Sequence, residues 1–245
     1  CAHACRIGQG AWVTPLAERF AGQLPRLVMF DLDGTLLDSV PDLALAVDRM
    51  LAQLGRASAG VEQVRDWVGN GSLTLVRRAR AGAQEHAQVD PAEAAAAHQL
   101  FLQAYAQCHD RSRVYPGVLE CLHWLLAQGI PMGLVTNKPF RFIAPLLARH
   151  GLAGYFNWVL GGDSLPQQKP DPAPLLWMLG EAAVETVQAL PVGEPRSEVM
   201  AARAAGVPCV AVRYGYNHDR QIAEEKPLLV VDDLRQLVDS FRSLG

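Results

Sequence analysis

Apolar and polar positions fall into two regimes along the chain. Arg26-Leu27-Val28-Met29-Phe30-Asp31-Leu32 is a short apolar run closing on an acid, the pattern of a parallel strand buried on both faces, and Gly34-Thr35 ends it. From Pro41 to Leu54 the apolar residues Leu43, Val47, Met50, Leu51 and Leu54 recur at helical spacing, which predicts an amphipathic helix stopped by Gly55. Helical patterns continue over 61–68 and 72–81, separated by Gly69-Asn70-Gly71. Asp90-Pro91-Ala92-Glu93 places an acid at a cap, proline at the first helical position and Glu three on, opening an Ala-rich helix to about Cys108. Residues 42–112 thus read as helical throughout, with no strand signal.

After Tyr115-Pro116-Gly117 the pattern alternates: helix 118–128, strand 132–136, helix 139–149, strand 156–161, helix 172–183, strand 187–193, helix 196–205, strands 208–213 and 228–231, helix 233–242. Strands alternating with helices predict an α/β fold, a doubly wound parallel sheet of Rossmann-like type, with ligands at the carboxyl ends of the strands. The strand at 27–32 belongs to that sheet. The expected organisation is an N-terminal extension at 1–25, an α/β core from 26–41 and 113–245, and an all-helical cap inserted at 42–112 as a lid over the sheet's working edge.

Composition narrows the partners. At 245 residues, half of them apolar and 19% charged, the chain can bury a sizeable core. Lys plus Arg is 22 against 25 Asp plus Glu, a net charge of −3, so no basic field is available to hold nucleic acid or a membrane surface. The expected partner is a small ligand whose charge is met locally. The five cysteines (Cys1, Cys5, Cys108, Cys121, Cys209) form no CxxC or zinc spacing, which fits a reducing cytoplasm; Cys121 on a helix face and Cys209 in a strand read as small hydrophobes. The seven histidines make no ligand spacing. No apolar run reaches the roughly 18 residues of a membrane span, and residues 1–25 lack a signal-peptide core, so a soluble chain is expected, with a lipid-anchored Cys1 as the minor alternative.

Polar residues collect where the strands end: Asp31 and Asp33 after the first, Thr136-Asn137-Lys138 after the next, then Asp163 and Lys169, and finally Glu194 and Glu198. A single Asp at a strand end is usually a turn former; four ends carrying functional groups call for another explanation. Asp31-Leu32-Asp33-Gly34-Thr35 resembles the DxDGT signature of the haloacid dehalogenase superfamily. Thr136, Lys169 in Gln168-Lys169-Pro170-Asp171-Pro172, and the acids after Val192-Gly193 resemble its second, third and fourth motifs, in order. The likeness covers nearly all of 26–243 and extends, through Trp67-Val68-Gly69-Asn70-Gly71, Gly161-Gly162-Asp163 and Tyr214-Gly215-Tyr216-Asn217, to the branch that hydrolyses 2-phosphoglycolate.

That resemblance implies a phosphatase working through an aspartyl phosphate. Asp31 would be the nucleophile, and Asp33 would protonate the leaving oxygen and then activate water. Asp33 also argues against dehalogenation, since a halide leaves without a proton. Lys169 would neutralise phosphate and nucleophile together, and Thr136 and Asn137 would help bind the phosphoryl oxygens beside a helix start. Carboxylates sharing such a pocket repel by about 4 kcal/mol per pair at 4 Å and an effective dielectric of 20. A cation belongs between them, and oxygen ligands beside a phosphate point to Mg²⁺. The implied ligands are the Asp31 carboxylate, the Asp33 carbonyl and Glu194, with Glu198 and Asp163 behind them.

The sequence departs from the family in one place. The related pattern has Asp at both acidic positions of the fourth motif and Ser after the first, whereas this chain reads Pro191-Val192-Gly193-Glu194-Pro195-Arg196-Ser197-Glu198. Each acid gains a C–C bond of about 1.5 Å, which would displace a metal or a water. Pro191 also removes a donor from what should be an inner strand, where proline is seldom found. Three alternatives therefore stand beside the main reading: a phosphatase for another small phosphate such as a sugar phosphate, a degenerate member that binds phosphate without hydrolysing it, and Glu194 and Glu198 as a solvated first helix turn. A carboxylate-bearing leaving group needs a cation, for which Arg65, Arg77, Arg78 and Lys138 are available.

Overall fold

The structure, a computed structural model, describes residues 15–194, 197–216 and 226–244. Helix α1 (Pro15–Arg19) leads to strand β1 (Leu27–Phe30), and after β2 (Leu37–Asp38) come four helices, α2 (Val40–Gln53), α3 (Gly60–Trp67), α4 (Ser72–Ala81) and α5 (Pro91–Tyr105). Strand β3 (Arg113–Val114) returns the chain, which then alternates through α6 (Val118–Ala127), β4 (Met132–Val135), α7 (Ile143–Arg149), β5 (Trp158–Leu160), α8 (Ala173–Ala182), β6 (Ala189–Gly193), α9 (Ser197–Ala205), β7 (Val210–Val212), β8 (Leu229–Val231) and α10 (Leu234–Arg242). Six strands form one parallel sheet in the order β5-β4-β1-β6-β7-β8, so β1 lies inside it, as the apolar run requires.

Successive strand residues point to opposite faces, and both faces are covered. Val28, Phe30, Leu134, Val192 and Val212 pack on one side with Leu122, Leu125, Leu237 and Phe241 of α6 and α10. Leu27, Met29, Val135 and Ala211 pack on the other with Leu175, Met178, Val199 and Ala202 of α8 and α9. The four inserted helices bury a core of their own, including Val47, Met50, Trp67, Val76, Phe101 and Tyr105, to which the α/β part contributes Phe142 and Tyr216.

The crossings between the two parts run side by side. β2 pairs antiparallel with β3, Leu37 opposite Val114. Asp42, fully buried at the start of α2, accepts from the Arg111 and Ser112 amides and from Ser112 Oγ. Tyr216 Oη accepts from the Ser39 and Val40 amides and donates to Asp38 Oδ1. Two strands of two residues each are too short to leave a periodic signal, which is why the sequence reading has none there.

Several expected boundaries shift for local reasons. The first strand ends at Phe30 rather than residue 32, because Leu32 O accepts from the Leu36 and Leu37 amides and Gly34 turns at φ +79, where a Cβ would lie 2.9 Å from the Tyr216 ring. The expected helix at 139–149 is a 3₁₀ turn over Phe140–Phe142 followed by α7. Helix α5 stops at Tyr105, short of Cys108, though Asp90 caps it as expected, accepting from Ala92 and Glu93 N at 2.9 and 3.0 Å. Cys209 precedes β7 instead of lying within it, and Cys108, Cys121 and Cys209 are all free and buried.

Pro191 does sit in an inner strand, but opposite Met29, where its missing amide would face β7; pairing with β7 begins only at Val192–Val210, so no ladder bond is lost. Cys1, Cys5, His3, Pro195, Arg196, Asn217 and His218 lie outside the described residues. Among those described, no helix is long and apolar enough to cross a membrane.

Candidate active site

The site begins with a charge buried at the end of β1. Asp31 is 6% exposed, and its Oδ1 accepts from the Leu32 amide at 2.7 Å and faces Lys169 Nζ at 3.2 Å. Lys169, 1% exposed, donates also to Glu198 Oε2 at 2.5 Å and to the Val135 carbonyl at 2.6 Å. Glu198 reaches that ammonium by passing over Gly193, where a Cβ would lie 2.6 Å from its Cγ. The extra methylene of glutamate is thus accommodated by a residue that has no side chain.

Burial alone would lower the Lys169 pKa, but Asp31 and then Glu198 outweigh it and raise it. Burial pushes the Glu198 carboxyl up to about 7 against the pull of Lys169. The two tendencies conflict over one contact. The ammonium prevails, since it has two carboxylates and a carbonyl around it and loses all three on giving up its proton, so the pair is ionised.

Asp33 stands two residues beyond Asp31 and is held from both sides. Its Oδ1 accepts from Ser39 Oγ at 2.6 Å, and its Oδ2 pairs with Lys138 Nζ at 2.9 Å. Lys138, 5% exposed, also donates to Tyr105 Oη at 2.9 Å, from the last turn of α5. Burial would lower the Lys138 pKa; the Asp33 charge, with help from Tyr105, raises it. Thr136, buried beyond β4, accepts from the Lys138 amide at 3.3 Å. Asn137 lines the cavity and also has a structural contact: one N–H of its side-chain amide donates to the Lys169 carbonyl at 2.8 Å, which ties the Lys169 loop to the β4 loop.

These residues line one small cavity of about 50 Å³: Asp31, Asp33, Thr136, Asn137, Lys138 and Glu194 below; Leu43, Val68, Leu75, Phe101 and Tyr105 of the helical part above. The sequence reading did not place the upper residues at a site: Leu43 and Val68 appear there only within a helix pattern and a motif, and Leu75, Phe101 and Tyr105 not at all. Phe101 and Tyr105 are i and i+4 on one helix and stack at 5.7 Å, a signal masked by the alanines around them.

Of the expected outer residues, Glu198 is in the site through Lys169, and Asp163 is not. It is exposed, and its Oδ1 accepts from the Phe140 amide at 2.7 Å, fixing the 3₁₀ turn outside the cavity. Glu194 and Glu198 are 1% and 0% exposed, which excludes a solvated helix turn. Arg78 is buried on the Trp67 carbonyl and Asn70, Arg65 pairs with Asp38, and Arg77 lies beside Glu85 and His86, all away from the cavity.

Glu194 carries the test of a metal site. Its Oε1 accepts from Ser197 Oγ at 3.0 Å, while Oε2 is buried without a partner. Burial, and next the Asp31 charge, push its pKa up to about 8. An orphaned carboxylate oxygen beside a second carboxylate is what a hard divalent cation completes. Among the described residues no group of three or more His, Cys, Asp or Glu forms a ligand set. A divalent cation placed there would have the Asp31 and Glu194 carboxylates within reach and would draw its other oxygens from backbone, water and substrate.

The chain is similar to known proteins over most of its length. A family model described as haloacid dehalogenase-like hydrolase matches residues 28–212. The chain is 58% identical over 221 residues, 90% of its length and 81% of the relative's, to a phosphoglycolate phosphatase of Pseudomonas fluorescens. It is likewise 58% identical over 219 residues, 89% and 80% of the two chains, to phosphoglycolate phosphatase 1 of Pseudomonas aeruginosa. Among solved structures, a predicted phosphoglycolate phosphatase from Haemophilus somnus superposes with a TM-score of 0.81 at 37% identity, covering 87% of this chain and 96% of that one.

Proposed function

We propose, for a chain that belongs to the haloacid dehalogenase-like hydrolases, that it hydrolyses 2-phosphoglycolate to glycolate and phosphate with a divalent cation, Mg²⁺, bound. The observation that carries the reading is the pair of acids two residues apart beneath the inserted helices: Asp31 against Lys169 at 3.2 Å, Asp33 between Ser39 and Lys138.

In this reading an Asp31 carboxylate oxygen forms a bond to phosphorus as the bond to the glycolate oxygen breaks, and Asp33 delivers a proton to that oxygen. Asp33 then takes a proton from the water that attacks the aspartyl phosphate, which returns Asp31 and frees phosphate. Lys169 holds Asp31 in place and offsets charge that grows on the phosphoryl oxygens, while Thr136 and the neighbouring amides bind those oxygens. Asp31, the Asp33 carbonyl and Glu194 would hold the cation, which when bound supplies charge neutralisation to the phosphoryl group.

The cavity favours a small leaving group over a sugar. Leu43, Val68, Leu75 and Phe101 dominate its upper wall, with Phe142 of the α/β part beside them, and sugar hydroxyls buried against them would lose hydrogen bonds to water without replacement. The direct test is phosphate release from 2-phosphoglycolate and from hexose phosphates, with Mg²⁺ and with chelator. The expected result is metal-dependent release with a kcat/KM at least about 100-fold higher for 2-phosphoglycolate. Equal rates on hexose phosphates would overturn the substrate, and undiminished rates in chelator would overturn the metal.

A further inference from the structure

Glycolate differs from most small leaving groups in carrying a carboxylate, and the cavity has few places to put one. Among the described residues that line it, Lys138 is the single cation; Lys169 lies beneath, between Asp31 and Glu198. The rest of the upper wall is apolar apart from Ser72 and Tyr105. A carboxylate placed elsewhere against this wall would be buried without a cation beside it, at a high desolvation cost.

The placement also matches the substrate's own dimensions. In 2-phosphoglycolate one methylene separates the ester oxygen from the carboxyl carbon. Lys138 Nζ lies 2.9 Å from Asp33 Oδ2, on the carboxyl group that in the proposed mechanism delivers the proton to the ester oxygen. A proton donor for that oxygen and a cation for the adjacent carboxylate therefore stand side by side. The ammonium has three N–H donors; Asp33 and Tyr105 Oη take two. The Tyr105 hydroxyl, which accepts from Lys138, still has its own proton to give. One N–H and one O–H remain on neighbouring atoms, a fit for the two oxygens of a carboxylate.

We infer that Lys138 of the α/β core and Tyr105 of the cap together form the receptor for the leaving group's carboxylate, and so determine specificity. The inference rests on the 2-phosphoglycolate reading above and adds to it a location. It also makes the receptor depend on closure, since one donor comes from each part of the molecule. A phosphate ester without an acidic tail leaves both donors unused and gains from the cap only the exclusion of water.

The test compares 2-phosphoglycolate with ethyl phosphate in the wild type, Lys138→Met, Lys138→Arg and Tyr105→Phe, and measures inhibition of ethyl phosphate hydrolysis by free glycolate. Lys138→Met also removes a partner of Asp33, so rates on both esters fall. The diagnostic quantity is the ratio of the two kcat/KM values. That ratio is expected to drop roughly 10- to 100-fold in Lys138→Met, the worth of a charge-assisted hydrogen bond, and less in Tyr105→Phe. Lys138→Arg, which keeps the charge, should recover part of it. Inhibition by glycolate should weaken in parallel in Lys138→Met, a readout that needs no chemistry on glycolate. A ratio and a glycolate inhibition constant unchanged in Lys138→Met, with both rates lowered equally, would reduce Lys138 to an anchor for Asp33 and overturn the inference while leaving the substrate intact. A wild type with no preference for 2-phosphoglycolate over ethyl phosphate would overturn the substrate reading and this inference with it.

Discussion

The floor and the ceiling of the cavity solve opposite problems. The floor, at the ends of β1, β4 and β6, concentrates Asp31, Asp33, Lys169, Glu194 and Glu198, nearly all removed from water. Such a set holds together only because each charge has a named partner or, at Glu194 Oε2, a place for one. The ceiling is Leu43, Val68, Leu75 and Phe101, side chains that can exclude water and bear no part in bond making. Chemistry requires fixed charge in a medium of low dielectric. The first part supplies the charge and the second the medium, and Lys138 touches both through Asp33 and Tyr105.

Substitutions on either side separate these contributions. Asp31→Asn removes the proposed nucleophile while Lys169 keeps Glu198 at 2.5 Å. Steady-state turnover should fall on the order of 10⁴-fold or more, with an unchanged melting curve as the check that the floor still folds. Phe101→Ala, by contrast, deletes a ring that is 1% exposed in the cap core. It should destabilise by about 3–5 kcal/mol, measured by urea unfolding, and raise KM and water access rather than abolish the covalent step. If Phe101→Ala were as inactive as Asp31→Asn with its fold intact, the division between floor and ceiling would fail.

Glu194 gives a pH signature that belongs to the floor alone. Its ordinary pKa of 4.5 is raised to about 8 by burial. A carboxyl whose folded-state pKa is raised contributes stability that is complete below the unfolded value and is lost as pH rises through the folded one. The metal-free protein should therefore lose melting temperature between about pH 4.5 and pH 8, by roughly 2–4 °C per kcal/mol in a chain of this size. Added Mg²⁺ should restore it at the alkaline end, and Glu194→Gln should flatten both responses. The smallest effect is expected at the crossing between the parts: Tyr216→Phe strips the acceptor from the buried Ser39 amide and should cost about 1–3 kcal/mol by thermal melting.

The floor was more legible in the sequence than the ceiling, for a physical reason. Charges at strand ends stand out against apolar runs, so Asp31, Asp33, Thr136, Lys169 and Glu194 could be named from their spacing and their resemblance to the family, and one cavity or its base receives all five. Apolar residues facing a ligand look like those facing a core, so Leu75 and Phe101 carried no mark of their own, and Val68 was marked only by the motif around it. Asp163 misled for the complementary reason: an acid after a strand serves a turn as readily as a site, and here it holds the Phe140 amide. The contact of Lys138 with Asp33 and Tyr105 joins residues 33, 105 and 138 and needed the fold to be seen.

The central claim is that the carboxylate on the floor, Asp31, takes the phosphoryl group itself. Acid quenching of a single turnover with phosphoryl-labelled 2-phosphoglycolate and Mg²⁺, followed by mass mapping of the protein, tests it directly. The account predicts transient label on the peptide that contains Asp31, and none in Asp31→Asn. Labelled phosphate released at full rate with no protein-bound label at any time, or with label on another residue, would contradict it.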